Sequence, residues 1–229
     1  YNWWNECLHG VGRAGIATVF PQPIGLAAMF DEPFVKEIAS VISDEVRAKY
    51  NEATDQDDLA TKVLKALPDS IGGWLLAHKY WYRGLTCWSP NINIFRDPRW
   101  GRGHETYGED PFLTSRLGVA FVQGLQGDHP EYLKVVATPK HFAVHSGPEG
   151  LRHGFNAVVS QKDLRETYLP AFKACIQEGR TVSVMSAYNA VNGEPCSANV
   201  ELLQHILRDE WGFDGYVVSD CGAIRDIFI

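Results

Sequence analysis

The sequence lacks the features that define several classes of protein. No apolar run approaches the ~20 residues that a helix needs to cross a bilayer, so we expect no membrane protein. The 229 residues carry a formal net charge of −7 and contain no basic stretch, which argues against a nucleic-acid partner. With 45% hydrophobic and 21% charged residues, the composition also excludes disorder, collagen and coiled coil.

Cysteine is sparse and irregularly placed. The five cysteines form neither CxxC spacing nor the even set of a disulfide framework: Cys7, Cys87, Cys175, Cys196 and Cys221. There is no HExxH motif and no acidic loop of EF-hand type, so we expect no metal. Buried or idle thiols are the favoured interpretation. A single disulfide stays open, as does the compartment, with a secreted or periplasmic one slightly favoured.

The two ends do not resemble those of a complete protein. The chain opens with YNWWNECLHG, without a start methionine or a signal-peptide pattern, and its last residues follow an apolar strand. We therefore expect residues 1–229 to be an excerpt of a longer protein. Aromatic residues reach 12%, with seven Trp, a content that favours stacking surfaces as well as core.

Apolar patterns predict alternating strands and helices. Short apolar runs bounded by turn residues predict strands at 85–94, 135–137, 182–188 and 215–219, with a weaker candidate at 16–21. Apolar residues at helical spacing predict helices over 32–51, 111–125, 161–179 and 198–211. Residues 51–83 predict a helical insertion packed on the scaffold. The alternation indicates an α/β fold with parallel strands, and a closed βα barrel and an open doubly wound sheet both fit.

Polar residues follow four of these strands, where the active site of a parallel barrel forms. We expect function for four of them: Asp220, Lys140, His141 and Arg102. Met185, Tyr188 and Asn189 belong to a third strand end. For the remaining charged residues after 85–94 we expect structural ion pairs: Arg96, Asp97, Arg99 and Glu105.

Asp220 could be a metal ligand, a general acid/base or a nucleophile. The sequence offers too few clustered ligands for a metal. A nucleophile needs cationic neighbours that favour its ionised form, and Lys140 and Arg102 could supply them. The same cations could bind sugar hydroxyls, and nearby Trp residues could offer flat faces to a sugar ring.

Gly10, Gly12 and Gly15 spell the GxGxxG pattern of dinucleotide-binding proteins. That pattern requires a strand before it and a helix after it. WWNECLH is no buried strand, and Pro21 and Pro23 disfavour a helix, so we interpret these residues as turn glycines. We expect no cofactor.

Several long motifs carry a family resemblance. WWNECLHGV, SPNINIFRDPRWGRGHETYGEDP, TPKHF, SVMSAYNAVNGEP and GFDGYVVSDCGAI resemble the family 3 glycoside hydrolases, which include β-glucosidases and β-xylosidases. The match covers nearly the whole chain apart from 51–83, where the family usually has a shorter link. The resemblance implies that residues 1–229 are part of an N-terminal (β/α)8-like barrel, incomplete in this excerpt. It also implies a C-terminal α/β sandwich domain that the excerpt lacks.

The resemblance also implies a retaining double displacement, in which Asp220 is the nucleophile. Matching positions imply that eight residues bind the substrate: Glu6, Arg102, Lys140, His141, Met185, Tyr188, Arg152 and Glu149. The last two lie in the loop after KHF. The implied substrate is an oligosaccharide or aryl glycoside that loses its terminal non-reducing sugar.

Glu6 bears on the choice of sugar. Glucosidase members mostly resemble one another in placing Asp here, whereas WWNE-type members tend to be xylosidases. The extra methylene would place the carboxylate where a hexose carries its hydroxymethyl group, and a pentose lacks that group. We therefore favour a β-D-xylosidase, with β-D-glucosidase and α-L-arabinofuranosidase as alternatives.

The excerpt departs from the family in its acid/base residue. Two-domain members use a Glu of the second domain, and single-domain members use an Asp-x-His pair in the loop after KHF. His153 falls near the right position, but Leu151 stands where the Asp would be. We therefore expect the excerpt alone to be nearly inactive. The rival interpretations are a non-catalytic sugar-binding barrel and, from the GxGxxG pattern, an oxidoreductase.

Overall fold

Helices and strands alternate along the chain in the computed structural model, which describes residues 3–55 and 58–228. The α-helices are α1 (Pro23–Ala27), α2 (Glu32–Thr54), α3 (Leu59–Ala66), α4 (Asp69–Tyr80), α5 (Pro111–Gln126), α6 (Gln161–Asp163) and α7 (Pro170–Gln177). The strands are β1 (Thr86–Cys87), β2 (Val136–Ala137), β3 (Asn156–Ala157), β4 (Ser183–Ser186), β5 (Ala190–Val191), β6 (Glu194–Pro195) and β7 (Tyr216–Ser219). Turns of π-helix occupy Leu164–Tyr168 and Glu201–Glu210, and 3₁₀ turns occupy Gly103–Glu105, Glu149–Leu151 and Ala223–Phe228.

Five segments lie side by side, each parallel to the one before it in the chain. A bridge between Asn5 and Cys87 joins the N-terminal segment to β1, and β1 pairs with β2. A bridge between Phe142 and Ser186 carries the arrangement on to β4, which pairs with β7. The predicted α/β fold with parallel strands is therefore confirmed. Within 3–55 and 58–228 the segments form an open arc and do not close into a barrel.

A second, smaller sheet joins β3, β5 and β6 beyond the end of β4. β5 and β6 are antiparallel, and the Asn192-Gly193 pair between them has positive φ at both residues, 51° and 93°. This is the backbone of a tight hairpin turn, for which Asn-Gly is the preferred sequence. The hairpin follows the loop that carries Tyr188 and Asn189, and so lies close to the predicted site.

The main helices begin where the sequence provides a cap. Asp31, Asp110 and Ser160 accept hydrogen bonds from the backbone N–H groups three residues ahead, at the starts of α2, α5 and α6. α5 packs against both α2 and α7. The predicted helices are confirmed, although the one over 161–179 is interrupted by π-helix and the one over 198–211 is itself π-helical. Of the helices in the described part of the chain, none has the length and apolar composition to cross a membrane.

Two sequence predictions need correction or refinement. The weak strand candidate at 16–21 is wrong, because no strand forms there and Ile16 and Val19 are 98% and 77% exposed. The strand predicted over 85–94 contains only β1 and an isolated bridge at Asn91. The 51–83 segment does form two helices, α3 and α4.

The interpretation of the GxGxxG residues as turn glycines is confirmed. Gly10 and Gly15 have φ of 133° and 84°, and the next helix begins only at Pro23. A Cβ on Gly10 would collide with the carbonyl of Thr18. Glycine is therefore required by the fold of this turn.

The contact between α2 and α5 depends on Gly124. A Cβ at this position would collide with the carbonyl oxygen of Lys36 and lie 2.7 Å from Cβ of Ala39. We expect Gly124→Ala to lower the free energy of unfolding by about 1–3 kcal/mol, because the helices must separate. Urea denaturation measures this effect. Gly73→Ala in α4 is the control, since its Cβ would meet nothing within 4 Å, and it should instead stabilise by about 1 kcal/mol. Equal effects of the two substitutions would contradict the packing argument.

Candidate active site

Asp220 lies directly after β7 and is only 7% exposed. Its backbone N–H donates to the carbonyl of Ser186 at 3.2 Å, which ties the end of β7 to the end of β4. Its Oδ1 accepts a hydrogen bond from the backbone N–H of Cys221 at 2.7 Å. The Oδ2 atom accepts no hydrogen bond from the residues that the structure describes, so it is the free acceptor of this carboxylate.

His141 faces that oxygen, with its Nε2 atom 3.3 Å from Oδ2 of Asp220. The opposite side of the ring is held by Asn93, whose Oδ1 lies 2.9 Å from Nδ1 and accepts from the backbone N–H of His141 at 2.8 Å. Because that amide oxygen can only accept, Nδ1 carries the ring proton and Nε2 presents a lone pair. Two acceptors therefore face each other, which is an arrangement that a substrate hydroxyl donor would complete.

Burial keeps this imidazole neutral. Desolvation, followed by the positive charge of Arg102, lowers the pKa of His141 well below its ordinary value. The ring of His145 lies 4.6 Å away, and burial lowers the pKa of His145 to about 3. Asn189 Oδ1 lies 3.1 Å from Nδ1 of His145. Both histidines are thus neutral hydrogen-bonding groups at neutral pH.

Arg102 forms a two-pronged ion pair with Glu105, with Nε–Oε1 and Nη2–Oε2 distances of 3.0 and 2.7 Å. Burial alone would lower the pKa of Arg102, but the hydrogen bonds and charge of Glu105 outweigh it and raise that pKa. The charges of Asp220 and Glu6 act in the same direction. The guanidinium is therefore electrostatically linked to both predicted site carboxylates. The ion pair expected for Glu105 is confirmed, and its partner is a predicted binding residue.

Lys140 and Glu6 meet from different segments, with Nζ 3.8 Å from Oε2. Lys140 is buried and bridges to Asn91, so its position is fixed by the backbone. The other oxygen of Glu6 accepts a hydrogen bond from the indole of Trp4 at 3.1 Å. Two of the predicted binding residues, a cation and an acid, thus lie together.

Tyr188 connects Asp220 with the loop after KHF. Burial, then the charge of the Asp220 carboxylate, raises the pKa of Tyr188. The Tyr188 ring lies 4.6 Å from the ring of His153, and Cζ of Arg152 lies 5.8 Å from its centroid. Arg152 also pairs with Glu149. This predicted pair therefore reaches the site through Tyr188, while Met185 is fully buried on β4.

His153 does have an acidic partner, contrary to what Leu151 suggests. Its Nδ1 atom lies 3.0 Å from Oδ2 of Asp226, a buried residue in the 3₁₀ turn after Asp220. The carboxylate comes from 73 residues further along the chain, so a search at local spacing could not detect it. The remaining charged residues are outside the cluster. Asp97 and Arg99 form the expected ion pair, whereas Arg96 lies over the rings of Phe155 and Tyr168.

A cavity of about 1020 Å³ opens beside Asp220. Trp4 and Trp88 line it and are stacked on each other, with centroids 5.5 Å apart. The expectation that Trp faces lie near the charged residues is confirmed. Sequence reasoning missed Asn93 and His145 as parts of the site. Their only signal was position, since Asn93 lies within the predicted strand NINI and His145 lies four residues after His141.

Comparison with known sequences identifies a matching family model and similar proteins. A sequence model described as the glycosyl hydrolase family 3 N-terminal domain matches residues 67–229. A protein of Xylanibacter ruminicola named xylan 1,4-beta-xylosidase is 47% identical over 99% of this chain. The chain spans only about a quarter of the length of that relative, 24%.

Comparison with solved structures identifies proteins of the same kind as the sequence comparison does. A family 3 exo-beta-xylosidase in complex with a xylobiose aziridine probe superimposes with a TM-score of 0.80 at 37% identity. This similarity covers 100% of the present chain and 28% of that chain. A b-glucosidase from Erythrobacter marinus gives a TM-score of 0.77 at 33% identity, covering 97% of the present chain and 25% of its own.

The low pKa of His145 has a consequence for stability. In the unfolded chain His145 is protonated below its ordinary pKa, about 6.5. In the folded chain it is protonated only below about pH 3. Stability therefore falls as the pH falls through this window, by at most about 1.4 kcal/mol per pH unit for this residue.

We expect His145→Asn to remove this pH-dependent contribution. The free energy of unfolding of the wild-type protein minus that of the variant should therefore decrease from pH 6.5 to pH 4. Urea denaturation across this range measures it. His129→Asn, at an exposed position, controls for the loss of one imidazole. A difference that does not change with pH would contradict the assignment.

Proposed function

The chain belongs to glycoside hydrolase family 3, and on that premise we propose that it is part of a retaining, exo-acting β-glycosidase, principally a β-D-xylosidase. The observation that carries this proposal is the Asp220 carboxylate, whose Oδ2 accepts no hydrogen bond from residues 3–55 and 58–228 and lies 3.3 Å from Nε2 of His141. An acceptor to which no described residue donates, beside a cavity lined by Trp4 and Trp88, is suited to attack at carbon.

In the proposed reaction, Oδ2 of Asp220 forms a bond to the anomeric carbon of the terminal sugar while the bond to the leaving oxygen breaks. Water then cleaves this glycosyl ester, and the anomeric configuration is retained. The neutral ring of His141 accepts a hydrogen bond from a sugar hydroxyl, and Lys140 donates to another. Arg102 contributes a positive charge, and its guanidinium group is held in place by Glu105. The Tyr188 side chain lies close enough to the nucleophile for the charge of that carboxylate to act on it.

We infer that the open arc belongs to a (β/α)8-like barrel. Its parallel segments are neighbours in the same order as in the sequence. A doubly wound sheet would instead reverse its order at a switch point. We further propose that residues 1–229 form part of an N-terminal domain and that a C-terminal α/β sandwich domain provides the acid/base Glu. General acid catalysis contributes about 10²–10⁴-fold, so residues 1–229 alone should be nearly inactive.

We propose that the pair of Glu6 and Lys140 selects the sugar. The Lys140 side chain is buried and the Glu6 side chain is half-buried, and the two residues belong to segments that the backbone holds together. The Trp4 indole restrains the second oxygen of Glu6. The carboxylate is thereby held in a position where a hexose would need space for its hydroxymethyl group. β-D-Glucosidase and α-L-arabinofuranosidase activities are the alternatives, and the similarity to a named glucosidase supports keeping the first.

The nucleophile is tested by Asp220→Ala in the full-length protein. Hydrolysis of an aryl β-xyloside should fall by about 10⁴-fold or more, the order of loss when a covalent nucleophile is removed. Asp209→Ala, at an exposed position, is the control and should retain wild-type rates. An activated 2-fluoro xyloside should label the wild-type protein on the Asp220 peptide, as mass mapping would show. A non-catalytic sugar-binding protein would give no adduct, and an adduct on another carboxylate would reassign the nucleophile.

Sugar selection is tested by Glu6→Asp. Withdrawing the carboxylate by one methylene should shift the ratio of kcat/KM for aryl β-glucoside to that for aryl β-xyloside by about 10–200-fold toward glucose. Glu6→Gln is the matched control, because it removes the charge but keeps the length. It should lower both values of kcat/KM without this shift. An unchanged ratio in Glu6→Asp would exclude Glu6 as the selecting residue.

A further inference from the structure

The Sγ atoms of Cys7 and Cys87 lie 2.8 Å apart. Both residues are fully buried, with 0% exposure. The contact joins positions 80 residues apart in the sequence, so it is not a consequence of local chain geometry.

Hydrogen bonds around Asn5 fix this approach independently of the sulfur atoms. The backbone N–H of Trp88 donates to the carbonyl of Asn5 at 2.9 Å. The Asn5 side chain donates to the carbonyl of Thr86 at 2.6 Å and accepts from the backbone N–H of Gly84 at 2.8 Å. The N-terminal segment is thus held in register with β1. The bridge pairs Asn5 with Cys87, so Cys7, two residues further along the same segment, lies diagonally across from Cys87 in a backbone arrangement that neither thiol creates.

The other three cysteines have different surroundings. Cys196 donates a hydrogen bond from its thiol to the carbonyl of Ala143. Cys175 is buried within α7, near Gly118 of α5. Cys221 is exposed beside Asp220. Cys7 and Cys87 are therefore the pair that the structure brings together.

We propose that Cys7 and Cys87 are an oxidative modification site, at which a disulfide cross-links the N-terminal segment to β1. The oxidant is a disulfide of the thiol-exchange type, small or protein-borne. Each thiol loses its hydrogen, one S–S bond forms between Sγ atoms, and the oxidant is reduced to two thiols. This proposal does not depend on the glycosidase function.

The cross-link forms before the core closes. Burial raises the pKa of Cys7 well above its ordinary value, and the neighbouring Cys87 adds to the effect. A thiol in that state exchanges slowly, because the thiolate is the reactive form. Once the chain is folded, the thiol pair is therefore slow to oxidise, and burial shields a cross-link that has already formed from attacking thiolates. The cross-link also restrains Glu6, the residue adjacent to Cys7, against the strand that it must remain beside.

The test uses the full-length protein, refolded from denaturant either with oxidised and reduced glutathione or with excess reductant. Free thiols are then alkylated under denaturing conditions, and the peptides are mapped by mass spectrometry. We expect the oxidised sample to yield the Cys7 and Cys87 peptides as one species, lighter than the reduced pair by two hydrogen atoms. Cys175 should be alkylated in both samples. The oxidised protein should melt about 2–6 °C higher, because a long loop is closed in the unfolded chain.

Single variants separate the cross-link from general oxidation. Cys7→Ser and Cys87→Ser should each abolish the difference in melting temperature between the two samples, while Cys175→Ser should retain it. Complete alkylation of Cys7 and Cys87 after oxidative refolding to a native circular dichroism spectrum would overturn the proposal. So would a cross-link from either residue to a different cysteine. The wild-type mapping decides the matter even where a variant fails to fold.

Discussion

The candidate site depends on the hydrogen bonds between Asn93 and His141. Three hydrogen bonds join them: the Asn93 amide nitrogen donates to the carbonyl of His141, and its oxygen faces both the backbone N–H and Nδ1. This contact fixes the orientation and the protonated nitrogen of the ring. Because burial keeps the ring neutral, the nitrogen facing Asp220 is an acceptor. A donor or a charged ring there would occupy Oδ2 of the carboxylate, and the free acceptor would be lost.

Parallel pairing explains why residues far apart in the sequence converge on that carboxylate. Each segment of the arc lies beside its predecessor, so the residues that follow the strands emerge at one edge. Direct backbone contacts then align the ends, as between Asp220 and Ser186. The charges in this cluster alternate, with Arg102 and Lys140 placed among Asp220, Glu6 and Glu105. Buried charges are tolerated because each has an opposite charge nearby.

Much of this could be predicted from the sequence, and the failures have physical causes. Strand-end position identified Asp220, Lys140 and His141, because apolar runs mark buried strands irrespective of tertiary contacts. Asn93 was missed because an Asn within an apolar run resembles a strand residue. The Asp226 partner of His153 was missed because its distance along the chain carries no periodic signal. The strand candidate at 16–21 failed because Ile16 and Val19 are exposed and only Ala17 and Phe20 pack against the core, and exposure depends on tertiary packing.

The N-terminal segment combines the least regular backbone with a heavily restrained carboxylate. Glu6 forms an isolated bridge with Gly12, whose backbone N–H donates to its carbonyl at 2.7 Å, and Trp4 and Lys140 contact its side chain. A segment without continuous β-sheet hydrogen bonds needs such individual contacts, since each restrains the position of one atom. The buried Cys7 beside it anchors the backbone from the opposite face of the strand. Side-chain contacts can therefore fix the position of a carboxylate that binds a sugar hydroxyl, even where backbone strand pairing is not continuous.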